Sequence, residues 1–331
     1  MKIGLVGNGA RFAALTHLLR NHEVSYWPGV DPPSTNGDDS TELPAHVERV
    51  ELEALKKTPL IFLCLPIHRL RPTGNQLGKV LTGRHILVHT TRNLELSTLY
   101  TPSRILGEET PTLRSGFLTG PFNATDALAG RPSSGVCVSE FDEVHELVQS
   151  ALDAPGVRVY RAKDLSGAEA AAAYSRVIAM LVGVGRQMEL GAGLEATLLT
   201  RGLAETAKFV LYRGGYESTA WGLAGCGNLF LDASSHNLNG DSSTDIACDA
   251  KIGAEFIRRE AAKVSDVPGS IRRDFGAGAD NLFNLIQSLA RVPQESGLSL
   301  PILSHAVELV AGERSAAEIV KSLLEFPVYY E

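Results

Sequence analysis

The chain has 331 residues, 44% of them hydrophobic and 21% charged, which suits two soluble globular domains that each bury a core. Its net charge of -7 is spread without a basic block, which excludes nucleic acid and an anionic membrane surface as main partners. An anionic ligand therefore requires a local group of arginines. Cys64, Cys137, Cys226 and Cys248 form no C-x-x-C pair and have no histidines at metal-ligand spacing, so they read as reduced thiols in a cytoplasmic protein with no metal site. The opening MKIGLVG is strand-like and lacks the basic segment of a signal peptide. No uncharged apolar run reaches the ~18 residues of a membrane span, and none is expected.

Lys2 to Val6 read as a buried parallel strand, followed at once by Gly7-Asn8-Gly9 and an apolar helical pattern through Phe12, Leu15, Leu18 and Leu19. Strand, glycine turn and helix in this order suit a dinucleotide. Gly7 permits the tight turn, and Gly9 lets the backbone approach a pyrophosphate seated on the helix N-terminus. The third glycine of that pattern would fall at Phe12, whose ring conflicts with close packing of helix on strand unless the helix shifts. A second strand, EVSYW, ends at Trp27, and Pro28, Gly29 and Val30 occupy the usual place of an acidic ribose ligand, before Asp31. No arginine lies between Arg20 and Arg49 to meet a 2′-phosphate, so NAD is favoured over NADP.

Residues 31 to 49 are rich in Asp, Pro, Ser and Gly and read as a surface excursion. LIFLCLP, ending at Pro66, and HILVHTTRNLE are further strands. From about Leu165 long apolar helical repeats take over, divided by proline and glycine clusters at 213 to 227 and 265 to 278. The expected architecture is α/β: a Rossmann-type dinucleotide-binding domain over 1–164, then an all-α substrate domain over 165–331.

GAEAAAAYSRVIAM, TRGLAE and TAWGLAGCGNLFLDASSHN are spaced as in the bacterial-type NAD(P)-dependent glycerol-3-phosphate dehydrogenases, which this chain resembles essentially end to end. Pro66 resembles the end of the family's Val-Pro strand, and Gly120-Pro121-Phe122-Asn123-Ala124 its Gly-Pro-Ser-Phe-Ala turn, so the resemblance adds Pro66 and Ala124 to the cofactor-binding set of Gly7, Asn8, Gly9 and Phe12. It also implies a homodimer.

The family's ionisable residues are absent. Its Lys-Asn is Ser175-Arg176 here, its Thr-Lys-Gly has Arg92-Asn93, its Gly-Asp-Leu has Asn228, and its phosphate-binding Ser-Arg-Asn is Ser235-His236-Asn237. A serine of ordinary pKa cannot replace an ammonium as general acid, and an arginine is effectively never deprotonated. These losses argue against glycerol 3-phosphate itself as substrate. The gains suit a small anionic substrate: Arg92 and Arg176 offer guanidinium forks, with Asn228 and Asn237 beside them in the carried-over site. Asp232 and His236 stand four apart; if that segment is helical, the carboxylate orients the imidazole as proton carrier, with Ser175 also in the catalytic set.

One reading is therefore an oxidoreductase on a CH–OH or C=O group with a re-equipped site. The other is an inactive relative that keeps the fold to bind a nucleotide or a protein partner. A lysine recruited from elsewhere, such as Lys163 or Lys208, has no support in the spacing.

Overall fold

The computed structural model describes residues 1–30, 43–234 and 249–324. The chain divides into two compact units, Met1–Ala170 and Ala171–Glu331.

The first unit is built on a sheet of order β3-β2-β1-β4-β5-β6-β7-β8. Its strands are β1 (Lys2–Gly7), β2 (Glu23–Trp27), β3 (Val47–Arg49), β4 (Leu60–Cys64), β5 (Ile86–His89), β6 (Arg114–Thr119), β7 (Ser133–Val138) and β8 (Val157–Ala162). All neighbours run parallel except β6 and β7, which are antiparallel. The order reverses beside β1, where β2 lies on one side and β4 on the other. Ligands of open α/β sheets bind at such a switch point, beyond the carboxyl ends of the strands. β1 and β4 read as near-continuous apolar runs because parallel strands covered on both faces have no solvent side. Ile3, Leu5, Phe62 and Val88 pack on one face, and Val6, Ile61, Leu63 and Leu87 on the other.

The four strands legible in the sequence are β1, β2, β4 and β5. The excursion over 31–49 is corrected at its end, where Val47–Arg49 forms β3 and extends the sheet beyond β2; residues 31–42 lie outside the described part.

The second unit is helical. Its principal helix, α6 (Leu165–Gln187), begins in the first unit and is long and apolar enough for a membrane span, yet its apolar stretch is mostly buried inside the protein. Within the second unit it crosses α10 (Asp249–Ala261) at glycines. A Cβ on Gly183 would stand 1.9 Å from the Ala250 carbonyl oxygen, and one on Gly253 would stand 1.8 Å from that of Met180. The cluster at 265 to 278, expected to divide helices, instead contains α11 (Val267–Phe275). Pro268 sits in its first turn, and the Asp266 carboxylate accepts from Gly269 N at its head.

Candidate active site

The nucleotide side begins with Gly7-Asn8-Gly9 between β1 and α1 (Ala10–Leu18). Gly7 has φ +111° and Gly9 +91°, a backbone that side-chain-bearing residues rarely adopt. At residue 7 the crowding is equally strict: a Cβ would lie 2.0 Å from the Cys64 carbonyl oxygen, because the turn crosses directly over the end of β4. Asn8 N donates to that same oxygen at 3.2 Å. Gly9 caps α1 without a side-chain hydrogen bond, and the first turn carries no acidic residue. Asn8 and Gly9 are exposed, so an anion can reach the positive end of the helix. These residues fit the pyrophosphate of a dinucleotide.

Phe12, at the place of the third glycine, packs against the apolar core that covers β1. Its half-buried ring turns aside onto Tyr26 of β2, with ring centroids 4.8 Å apart. Pro66 caps α2 (Ile67–Gly78) in extended conformation, two residues beyond β4. Ala124 opens α4 (Ala124–Leu128), after Gly120 with φ +100°.

Two arginines of this unit escaped the sequence reading. Arg11, in the first turn of α1, donates to the Thr90 carbonyl and lines a small cavity with Leu15, Thr119 and Phe122. Arg69 of α2 reaches back to the end of β2, donating to the Pro28 carbonyl at 2.7 Å and the Val30 carbonyl at 2.9 Å. Neither has a sequence signal near the strand it serves. Beyond β5, Arg92 is buried within Thr90–Asn93, a segment pinned by Thr91 Oγ1 donating to the Leu65 carbonyl at 2.8 Å. Glu169 was also missed: it accepts from Ser103 N at 2.7 Å and Ser103 Oγ at 2.6 Å and lies 3.0 Å from His89 Nε2, all three groups within the first unit.

In the second unit, Ser175, Arg176 and Asn228 among the replaced positions make hydrogen bonds within the protein. Ser175 Oγ donates to the Ala172 carbonyl of its own helix at 3.0 Å. Arg176 places Nε and Nη2 on the two oxygens of Asp249, both at 2.9 Å, a bidentate pair almost wholly buried at the head of α10. Of the two guanidinium forks expected to face an anion, Arg176 thus has two donors on a protein carboxylate. Asn228 is buried at the start of α9 (Asn228–Ala233) and donates from Nδ2 to the Ala224 carbonyl at 2.7 Å. Asp232 is buried in the same short helix.

The expected Asp232–His236 pairing reaches beyond the described residues. α9 ends at Ala233, whose carbonyl takes a donor from Arg186 of α6, and Ser234 is extended at φ -66°, ψ 145°. His236 and Asn237 lie outside the described residues. Tyr174 is fully buried, and its hydroxyl donates to Glu205 of α7 (Gly191–Tyr212) at 2.9 Å. Among the described residues no group of His, Cys, Asp and Glu could hold a metal ion.

Two family profiles match this chain: NAD-dependent glycerol-3-phosphate dehydrogenase N-terminus over residues 39–145 and the corresponding C-terminus over 164–321. A protein of Psychrobacter arcticus named glycerol-3-phosphate dehydrogenase [NAD(P)+] is 29% identical over 80% of this chain and 57% of its own length. This chain thus spans little more than half of that relative. One of the same name from Acinetobacter baumannii is 27% identical over 82% of this chain and 72% of its own. The crystal structure of a Coxiella burnetii glycerol-3-phosphate dehydrogenase shares the fold, with TM-score 0.83 at 20% identity over 98% of this chain and 99% of that one.

Proposed function

The chain belongs to the NAD-dependent glycerol-3-phosphate dehydrogenase family, and from that premise we propose that it is an NAD(P)-dependent oxidoreductase acting on the CH–OH/C=O group of a small anionic substrate. The observation that carries this reading is the glycine turn, whose positive-φ backbone and crowding against Cys64 keep the head of α1 open to a pyrophosphate. NAD is the favoured cofactor. No carboxylate or arginine of Trp27–Val30 addresses the 2′ position, and the Arg69 fork is engaged by the Pro28 and Val30 carbonyls.

When bound, the nicotinamide supplies or takes a hydride at the reacting carbon. The protein has then to bind the substrate anion and carry the hydroxyl proton. Arg92 is the proposed anion ligand, since Arg176 already holds Asp249 through two donors. Asn228 and Asn237 complete the substrate set. His236 is the proposed proton carrier, with Asp232 orienting it. Ser175, also in the proposed catalytic set, is a neutral hydroxyl and supplies no general acid. Homodimeric assembly and a cytoplasmic location complete the proposal.

A second reading, a non-catalytic dinucleotide binder, is favoured by the inward hydrogen bonds of Ser175, Arg176 and Asn228. Oxidation of NADH, followed by nicotinamide absorbance against a panel of small carboxylated and phosphorylated carbonyl compounds, separates the two. Turnover of one class that is lost in His236→Ala supports the enzyme. Saturable NADH binding without turnover of any of them supports the binder.

A further inference from the structure

Arg69 is nearly buried, 4% exposed, on the first turn of α2, and three of its nitrogens are accounted for by two different turns. Nε donates to the Val30 carbonyl at 2.9 Å and Nη2 to that of Pro28 at 2.7 Å, while Nη1 donates to Asn8 Oδ1 at 3.2 Å. One side chain thereby ties the segment leaving β2 to the middle of the glycine turn.

Thr73, one helical turn further on, reinforces the same tie. Its Oγ1 accepts from Val30 N at 3.2 Å, and the side chain is fully buried. Between the two anchored carbonyls Gly29 adopts φ +81°, where a Cβ would come within 3.3 Å of Arg69 Nη2. In a βαβ nucleotide fold these two turns frame the pyrophosphate and the adenosine ribose. Their separation is set here by a fork with fixed geometry, which a lysine's point charge could not reproduce.

The contact with Asn8 has a chemical consequence. A guanidinium is a donor only, so Asn8 Oδ1 must be the atom facing it, and the amide is fixed in one of its two orientations. That orientation leaves Nδ2, two N–H donors, as the amide's free end at the exposed head of α1. We infer that Arg69 is a positioning residue for the dinucleotide: it holds the Asn8 amide with its N–H groups toward the pyrophosphate and fixes the ribose turn at the end of β2. This rests on the reading of the glycine turn as a dinucleotide site.

The test is NADH titration, followed by nicotinamide fluorescence, of wild type, Asn8→Asp and Arg69→Met, with thermal melting of each without ligand. Asn8→Asp keeps an oxygen for Arg69 and replaces the outward donors with a carboxylate oxygen. It is expected to melt at or above the wild-type temperature while binding NADH about tenfold or more weakly, the loss of a charge-assisted hydrogen bond and its replacement by repulsion. Arg69→Met is expected to weaken NADH about tenfold, and the double variant to fall short of the product of the two single effects because the residues act through one contact. A purely structural Arg69 would lower the melting temperature and leave Asn8→Asp binding like wild type. Wild type that binds NADH alongside an Asn8→Asp variant of equal affinity overturns the inference alone; wild type that binds no NADH overturns the dinucleotide reading and the inference with it. Asn8→Asp decides the matter even if Arg69→Met fails to fold.

Discussion

Glu205 is the buried carboxyl whose removal should change how stability depends on pH. It stands on α7 with Oε1 accepting from Ile302 N at 2.7 Å and Oε2 from Leu303 N at 3.2 Å, and it thus caps α14 (Pro301–Ala311). Tyr174 OH also donates to Oε2. The amides, the phenol and the helix dipole favour the carboxylate, but desolvation outweighs them and pushes Glu205 from its ordinary 4.5 up to about 7. Between those two pH values the folded chain holds a proton that the unfolded chain has released, so stability falls as pH rises and levels off above about 7. At about 1.4 kcal/mol per pH unit, this fall amounts to about 3 kcal/mol.

Glu205→Gln removes the titration. The amide keeps one acceptor for Ile302 N but turns an NH2 toward Leu303 N, an unmet donor pair that costs about 1–3 kcal/mol. Denaturant unfolding of both proteins from pH 5 to pH 8 cancels every other group. The wild-type advantage over Glu205→Gln should shrink by about 3 kcal/mol across that range. Parallel pH profiles, or an advantage that grows with pH, would refute the reasoning by showing that Glu205 is ionised throughout.

Gly7→Ala puts a methyl 2.0 Å from the Cys64 carbonyl at φ +111° and should cost about 3 kcal/mol or more, read as a large drop in melting temperature; an unchanged melt would mean the turn is not built this way. Arg176→Ala strands the buried Asp249 carboxylate and should destabilise by about 3–5 kcal/mol, whereas replacing both partners with apolar residues should recover much of that in denaturant unfolding. Burial pushes the Cys64 and Cys137 thiols up to about 12, so in the native protein both should resist alkylation at neutral pH while half-buried Cys226 reacts ahead of these two, as peptide mass mapping would reveal.

The sequence was most informative where one segment carries its own periodicity or turn chemistry. Lys2–Gly7 with its glycine turn, the buried run Leu60–Cys64 and the long helix Leu165–Gln187 are of this kind. β3 is only three residues long, and the burial of β8 alternates with exposed positions; their strand character comes from pairing with β2 and β7, which local composition does not encode. The same holds for the site. Gly7 and Gly9 were legible because a backbone requirement names its residue type. Arg69 and the Arg176–Asp249 pair were not, because each depends on a partner separated by 39 and 73 positions, respectively. The i, i+4 spacing of Asp232 and His236 reaches past the end of α9 at Ala233, and His236 lies outside the described residues.

Binding of a nicotinamide dinucleotide at the glycine turn is read out by titration of wild type with NADH and NADPH, followed by nicotinamide fluorescence. Saturable micromolar binding of NADH, with NADPH weaker, is expected. Absence of binding by either, in a protein that melts cooperatively, would contradict it.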